Sequence, residues 1–465
     1  MISQGGTFVG TIILARILPV SDFGLVAMAQ VYLVLLQQFI DAGFLDGLIQ
    51  RPSMGQKELA GSFWLLLVAG WGAFGCSLLA RDLIEAAFGT PGIGWIIVVE
   101  TSVLLFLPFR TVAHAILARQ VRIEELSKRE ALVNLLRLAA SVWLARRGAG
   151  VWSLVFPQVA SEMVFSLSAY RRAGWRLTPE FSWTAVRPLA SYGLDITLSR
   201  AVWFAGSRAD QFIVGRVLGP TALGLYSLAQ QFAEALPQFG GATLTRVAFP
   251  LFARLQGETA RLRRTFLDVS RYTAYVAVPA FAGLVLVAPD LFAIMLKPSW
   301  SPAVAPMQVM CVIAFFRMMG ALASFVINAR GGTRRNLVLN VLVAVVTVLG
   351  VSLGAAIGRL TWVAILVASG TIPTALLFVR AAMRECGGTL GEWLKRLSGP
   401  VGATLLMSAC VAGLGALLPS GRHLLRLLTM VPVGAAVYGV AAFAVARELV
   451  TEFRGPRRPL GETGP

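Results

Sequence analysis

The sequence predicts an all-α polytopic membrane protein with about fourteen transmembrane helices, and three observations support that fold class. First, 57% of the 465 residues are hydrophobic and 14% are charged, whereas about 25% of the residues in a soluble domain are charged. Second, the apolar residues form segments long enough to cross the roughly 30 Å hydrocarbon layer of a bilayer as helices. Third, a segment near the amino terminus recurs in the second half of the chain, which indicates two related sets of helices.

The predicted helices are the segments in which about twenty residues are predominantly apolar. Several contain proline, which membrane helices tolerate when neighbouring helices satisfy the freed backbone groups. The fourteen segments span, approximately, residues 2–18, 23–45, 59–80, 92–117, 130–145, 150–170, 188–214, 222–245, 272–296, 302–328, 336–357, 361–379, 399–418 and 427–446.

The repeat supports a division of these helices into two bundles. LARILPVSDFGLVAMAQ at 14–30 recurs as VGRVLGPTALGLYSLAQ at 214–230, with identical residues that include an arginine, a Gly-Leu pair and an Ala-Gln pair. Further along the chain, the Phe-Arg pair at 109–110 recurs at 316–317. The offset therefore persists at about 200 residues, the length of a six-helix set.

The predicted organisation is an N-terminal six-helix bundle at 1–186, a C-terminal six-helix bundle at 187–390, and two extra helices with a basic cytoplasmic tail at 391–465. Because each bundle has an even number of helices, both bundles enter the membrane in the same orientation and are expected to be related by an axis along the membrane normal. The repeat offset would start the first helix before Met1, so that helix is expected to be truncated.

The formal net charge of +18 has a topological explanation. The basic residues form short clusters between apolar segments instead of one basic face, so no nucleic-acid partner is expected. Loops that follow even-numbered predicted helices hold 27 Lys and Arg residues, and the other connections hold 8. Cytoplasmic loops of membrane proteins are enriched in Lys and Arg, so both termini are predicted to be cytoplasmic.

Catalytic and metal-binding groups are scarce. The four cysteines have no paired spacing and there are two histidines, so neither a disulfide nor a metal site is expected. The sequence contains no Ser/His/Asp or Cys/His constellation, no phosphate-binding G-x-x-x-x-G-K-[ST] loop and no Asp-rich pair at a membrane boundary. The chain is therefore predicted not to be an enzyme and to use no cofactor.

Charged residues inside the apolar segments are the candidates for function. An arginine or aspartate at the bilayer centre costs roughly 2.5–3.5 kcal/mol on insertion scales, so such residues usually face a bundle interior or a watery cavity. Guanidinium groups bind phosphate oxygens bidentately, so a basic interior favours a diphosphate or another acidic group as cargo. The residues expected to line this substrate-binding cavity are Arg16, Arg110, Arg200, Arg208 and Arg317.

Arg110 and Arg317 occupy equivalent positions of the repeat. In a two-bundle transporter they would project toward the central axis from opposite sides, and the alternative that both are interfacial anchors stays open. Four other charged residues are expected near helix ends, where long side chains reach the interface at little cost: Glu100, Arg137, Glu162 and Asp290.

Predicted helix 7 carries a polar stripe. Asp195, Ser199, Gly206 and Asp210 lie within about 60° of one another at 3.6 residues per turn. That face of the helix is unsuited to lipid and is expected to face a cavity or another helix. The alternative that Asp210 only neutralises a neighbouring arginine stays open.

Three segments carry a family resemblance: LARILPVSDFGLVAMAQVYLVLLQQFIDAGFLDGLIQRP at 14–52, GLYSLAQQFAEALPQFGGATLTRVAFPLFARLQ at 224–256 and INARGGTRRNLVLNVL at 327–342. They resemble the opening signature, the eighth-helix region and the link between helices 10 and 11 of the polysaccharide transporter family. These are the Wzx-type lipopolysaccharide and exopolysaccharide repeat-unit flippases of the multidrug/oligosaccharidyl-lipid/polysaccharide exporter superfamily. The resemblance covers nearly the whole chain.

The resemblance implies a two-bundle fold with a V-shaped cavity in a bacterial inner membrane. It also implies movement of an undecaprenyl-diphosphate-linked oligosaccharide, which would be an O-antigen, capsule or exopolysaccharide repeat unit, from the cytoplasmic to the periplasmic leaflet. Members of the family are thought to couple this movement to an ion gradient, and Asp195 and Asp210 are the candidates for ion coupling here. Two other readings stay open: a multidrug exporter of the same superfamily, and a membrane glycan polymerase or ligase.

The expected partners follow from the same resemblance. They are the lipid-linked oligosaccharide substrate and membrane lipids, with a polysaccharide polymerase and chain-length proteins as further candidates. The chain is expected to act as a monomer.

Overall fold

The computed structural model describes residues 2–41, 48, 55–120, 123–419 and 421–454. Side chains are described within those ranges except at 2–5, 7, 41, 123, 126, 184–186, 188–207, 238–247 and 445–454. Every regular element in the described part of the chain is a helix, which confirms the all-α prediction.

Fifteen α-helices and two short 3₁₀ segments, Ser102–Leu105 and Pro298–Ala303, account for this structure between residues 2 and 454, outside the gaps given above. The α-helices are α1 Ile2–Ala15, α2 Val20–Asp41, α3 Gln56–Leu79, α4 Arg81–Phe88, α5 Ile93–Thr101, α6 Leu107–Arg119, α7 Ile123–Arg146, α8 Trp152–Ala173, α9 Trp183–Arg254, α10 Thr259–Met295, α11 Val304–Ala329, α12 Thr333–Ala356, α13 Leu360–Glu385, α14 Leu390–Leu417 and α15 His423–Arg454.

Over its described residues, each predicted span except 92–117 lies on one of these helices apart from up to three terminal residues, and the span 92–117 is divided between α5 and α6. Nine helices of the described chain are long and apolar enough to cross a membrane. Helices α5 and α6 meet at a bend of 40° between Leu105 and Leu107, and the number of spans rises to ten if this bent pair counts as one. The chain is therefore a multi-pass membrane protein, and the count of fourteen stays a prediction.

The seventh and eighth predicted helices form the long helix α9, which is interrupted at Gly219. Gly219 has φ 84° and ψ 176°, a conformation that side-chain-bearing residues avoid and glycine adopts readily. Pro220 follows at once and lacks a backbone N–H. The two arms of α9 therefore meet at a break that the local sequence itself encodes.

The helices form two compact units. One comprises Met1–Gln230, Met295–Pro306 and Val343–Val367, and the other comprises Gln231–Ile294, Met307–Leu342 and Ala368–Pro465. The first has an apolar core that includes Leu33, Phe63, Leu66, Leu104 and Ile116. In the second, Met407, Val411 and Met430 pack together between α14 and α15. The division of the sequence at 186/187 and 390/391 stays a prediction.

Glycines allow two helices of the first unit to approach closely. Gly350 and Gly354 are four residues apart on α12, and a methyl group added at Gly354 would lie 2.4 Å from Cα of Val363 on α13. The same addition at Gly350 would lie 2.9 Å from the carbonyl oxygen of Leu366. This is the small-xxx-small packing by which membrane helices bring their backbones together.

Candidate functional site

The two copies of the repeated segment contact each other in the first unit. A methyl group added at Gly24 of α2 would lie 1.7 Å from the carbonyl oxygen of Pro220, and one added at Gly224 would lie 2.3 Å from that of Val20. The repeat aligns Gly24 with Gly224 and Val20 with Pro220. The contact is therefore reciprocal, as contacts across a two-fold axis are.

The repeat-related arginines Arg16 and Arg216 each reach the end of a helix. Arg16 Nε donates to the carbonyl oxygen of Met295, the last residue of α10, over 2.7 Å. Arg216 packs against Gly89, the left-handed residue that ends α4, so that a methyl group there would lie 2.4 Å from Nη1. Gly89 and Met295 are separated by nearly the same offset as the repeated Phe-Arg pair. A cation is favourable at a helix C-terminus, where carbonyl groups lack intrahelical partners.

Two more hydrogen bonds reinforce the end of α1. Lys297 Nζ donates to the carbonyl oxygen of Ile17 over 3.1 Å, and Trp300 Nε1 donates to that of Ala15 over 3.0 Å. Trp300 is fully buried. These two bonds, the two glycine contacts and the two arginine contacts are called the repeat-crossing cluster below.

The predicted cavity role of Arg16 stays a prediction. In this structure its guanidinium caps α10, a role that the sequence analysis did not anticipate. The sequence held a hint of this role. The repeat-equivalent Arg216 lies outside the predicted apolar segments, in the connection between two predicted helices.

A second group of charges lies among α5, α6, α7 and α8, and we call it the α5–α8 charge cluster. Arg110 Nη1 of α6 pairs with Glu162 Oε1 of α8 at 2.8 Å. Arg137 of α7 donates to the side chain of Gln158 and interacts electrostatically with both Glu162 and Glu100. Glu100 of α5 is fully buried. The cluster comprises Glu100, Arg110, Arg137, Gln158 and Glu162.

The sequence analysis expected Glu100 near a helix end, and Glu100 is the last but one residue of α5. Its side chain is fully buried, whereas the expectation was of a side chain that reaches the membrane interface. Neither carboxylate oxygen of Glu100 has a hydrogen-bond partner among the described residues. Asp290, also expected near a helix end, is buried against His423 and Arg426 of α15, at 2.7 Å and 3.5 Å.

Asp210 on α9 has defined partners. The hydroxyl of Tyr226 donates to Oδ2 over 3.0 Å, and the backbone N–H of Gln211 donates to Oδ1 over 2.8 Å. Gln211 in turn donates to Gln230 over 3.0 Å. The bonds from Tyr226 to Asp210 and from Gln211 to Gln230 connect the arm before Gly219 to the arm after it, so Asp210 stabilises the break in α9.

The remaining predicted site residues differ in their surroundings. The side chains of Asp195 and Arg200 lie outside the described residues. Arg208 and Arg317 are exposed on membrane helices, and neither has a carboxylate partner in the described part of the chain. Arg110 is about half exposed despite its ion pair. The structure thus brings Arg110 into a defined cluster with Glu162, and the cavity role of Arg110, Arg200, Arg208 and Arg317 stays a prediction.

Comparison with known proteins finds that the chain is similar to proteins of polysaccharide biosynthesis. Residues 13–305 match a family model described as "Polysaccharide biosynthesis protein". The lipopolysaccharide biosynthesis protein WzxC of Escherichia coli (strain K12) is 24% identical over 314 residues, 66% of this chain and 63% of that protein. The succinoglycan biosynthesis transport protein ExoT of Rhizobium meliloti (strain 1021) is 24% identical over 462 residues, 97% of this chain and 92% of that protein.

The chain spans less than two thirds of the length of the WzxC protein. Among solved structures, the lipid II flippase MurJ in an inward closed conformation superposes with a TM-score of 0.80 at 12% sequence identity, over 96% of this chain and 98% of that one. At that identity the likeness concerns the fold. The family resemblance inferred from the three sequence segments is confirmed.

Proposed function

The chain belongs to the polysaccharide biosynthesis protein family, and we propose that it is a flippase that moves a lipid-diphosphate-linked oligosaccharide across a bacterial inner membrane. The observation that carries the proposal is that two arginines, Arg208 of the first unit and Arg317 of the second, are each exposed on a membrane helix without a carboxylate partner among the described residues. An arginine in an apolar helix is costly unless a counter-charge accompanies it. A diphosphate supplies that charge with oxygens that match the guanidinium fork.

Arg110 adds a third group of the same chemistry. Its ion pair with Glu162 leaves about half of the side chain exposed, so its other N–H groups can reach a phosphate oxygen. Pairing with Glu162 also fixes the side chain before the substrate arrives, which reduces the entropy lost on binding. Arg16 and Arg200 complete the proposed set of cavity arginines.

Transport requires the binding site to open to each side of the membrane in turn. The repeat-crossing cluster joins the α1–α2 turn to the break in α9 and to the ends of α4 and α10. With both termini cytoplasmic, these turns lie on the periplasmic side. The contacts would then close that side in this conformation, and they must separate when the substrate leaves.

Coupling to an ion gradient is part of the proposal, with Asp195 and Asp210 as candidate coupling residues. After release into the periplasmic leaflet, the lipid-linked oligosaccharide would be the substrate of a polysaccharide polymerase that acts with chain-length proteins. The lipid tail stays in the bilayer throughout. The inward-facing and outward-facing conformations must bind the substrate with comparable affinity, because much tighter binding by one of them would stop turnover.

Deletion of the gene in its native host tests the proposal. Polyprenyl-linked oligosaccharides would be extracted for mass analysis while surface polysaccharide is measured. We expect complete repeat units to accumulate on the lipid as the surface polymer disappears. An intact surface polymer with reduced drug tolerance would contradict the proposal and indicate a multidrug exporter.

Complementation of that deletion tests the arginines. Arg110→Ala or Arg317→Ala should abolish polymer export while the protein stays in the membrane, because each removes a group that holds the diphosphate. Arg261→Ala is the matched control, since Arg261 is an exposed arginine paired with Glu258 in the first turn of α10. Export at the wild-type level by both test variants would refute the cavity assignment.

A further inference from the structure

Glu100 is a buried acid that the proposed function does not use. Its side chain is fully buried in the first unit, and neither carboxylate oxygen has a hydrogen-bond partner among the described residues. An ionised carboxylate without hydrogen bonds in an apolar environment is very costly. Either a proton or a cation must therefore balance this group.

Arg137 is the cation within electrostatic reach of Glu100. Its guanidinium is already engaged, because it donates to Gln158 and interacts with Glu162, which also pairs with Arg110. Glu162 is thus shared by two arginines, while Glu100 has no direct bond to either. The cluster has two acids and two arginines, but the acceptors of its hydrogen bonds are Glu162 and Gln158 and not Glu100.

Apart from Glu162, the described side chains of the helices packed against α5 place no charge in the middle of a long helix. α5 packs against α2, α3, α4 and α8. Apart from Glu162, their charged residues lie in first or last turns: Asp22 and Asp41 of α2, Lys57 and Glu58 of α3, Arg171 and Arg172 of α8, with Arg81, Asp82 and Glu85 on the short helix α4. The hydroxyl groups of Tyr32 on α2 and Ser77 on α3 are hydrogen-bonded to each other. Arg137 and Glu162 are therefore the charged groups that decide the state of Glu100.

We propose that Glu100 is a proton-binding site, occupied in this conformation and emptied when Arg137 shifts from Glu162 and Gln158 to Glu100. In the emptying step the carboxylic O–H bond breaks, the proton passes to water, and the carboxylate left behind pairs with Arg137, which stays protonated throughout. The inference rests on the proposed transport function, because it identifies the ion that would drive it. A switch of Arg137 between two acids is the kind of two-state element that can couple proton binding to helix movement.

A proton fits this site better than a metal cation. A metal bound at Glu100 would lie close to the Arg137 guanidinium and be repelled by it. The described residues contain no group of three His, Cys, Asp or Glu side chains that could hold a metal ion. A proton needs a single carboxylate oxygen, which Glu100 provides.

Infrared spectroscopy of the purified protein tests the site without any transport assay. We expect the wild-type protein at neutral pH to show a protonated-carboxyl band that Glu100→Gln removes and that Glu130→Gln retains. Glu130 is an exposed acid on α7, so it controls for the loss of one glutamate. Glu100→Asp, which keeps the carboxyl group, should show a shifted band. Identical spectra for the wild type and Glu100→Gln would overturn the proposal.

Transport by proteoliposomes tests the coupling separately. With the glutamine in place of Glu100 we expect a pH gradient to lose its effect on lipid-linked oligosaccharide movement, while exchange without a gradient continues. Gradient-driven movement equal to that of the wild type would refute the coupling role. If the wild-type protein moves no such lipid, the flippase proposal fails, whereas the infrared band still decides whether Glu100 binds a proton.

Discussion

Replacement of Gly24 by alanine should favour the conformation in which the repeat-crossing cluster is open. The added methyl group would lie 1.7 Å from the carbonyl oxygen of Pro220, and ordinary contact begins at 3.4 Å. The two atoms must therefore separate by about 1.7 Å, and no side-chain rotation can supply this because the clashing atom belongs to the backbone.

The magnitude follows from the cost of overpacking, which is typically about 1–3 kcal/mol. Alanine also favours a helix over glycine by roughly 0.8–1 kcal/mol, but that gain is the same in both conformations and cancels. A cost of about 1–3 kcal/mol confined to the closed conformation shifts the equilibrium about 5- to 150-fold toward the open one.

Crosslinking measures this shift. Cysteines at Ile17 and Lys297 would be joined by a thiol reagent about as long as a lysine side chain, because Lys297 Nζ lies 3.1 Å from the carbonyl oxygen of Ile17. The background protein would carry serine at Cys76 and Cys410, which are exposed. We expect Gly24→Ala to slow crosslinking markedly.

Gly72→Ala is the matched control, because a methyl group at Gly72 of α3 meets nothing within 4 Å. It should crosslink like the parent protein. Equal crosslinking rates for Gly24→Ala and Gly72→Ala would refute the idea that the glycine contact holds the closed conformation together.

Two further predictions concern stability, and both can be measured as the midpoint of thermal unfolding in detergent. Gly354→Ala should destabilise the protein by about 1–3 kcal/mol, because its methyl group would lie 2.4 Å from Cα of Val363, whereas Gly402→Ala meets nothing within 4 Å and should be neutral. Equal midpoints for these two variants would contradict the packing. Asp290→Asn should cost about 1–3 kcal/mol, because it removes the charge that a buried aspartate shares with His423 and Arg426. An unchanged midpoint would mean that this cluster contributes nothing to folding.

Most of the fold was predictable from the sequence, because the length and apolarity of a segment are enough to identify a membrane helix. The break at Gly219 falls between the predicted helices 188–214 and 222–245, but the sequence did not show that the two helical arms would be separated by a single non-helical glycine. The amphipathic helix α4 was missed because eight residues with alternating polar and apolar faces are too short to register as a span.

The candidate site was predictable only in part. The repeat pointed to Gly24, Gly224 and Arg16, but not to the contacts they make, because those partners lie up to 279 positions away in the chain. The position of Glu100 near the end of α5 was predictable, but its full burial was not, because burial depends on how the neighbouring helices pack. Sequence patterns identify costly charges, whereas tertiary packing decides which of them are paired.

Reconstitution tests the central claim most directly. The purified protein would be placed in liposomes with a fluorescent polyprenyl-diphosphate-linked oligosaccharide, and movement between leaflets would be followed with a quencher that cannot cross the bilayer. The account predicts rapid movement by the wild-type protein, strong loss with Arg317→Ala and full retention with Arg261→Ala. No faster movement than in protein-free liposomes, or equal movement by all three proteins, would contradict it.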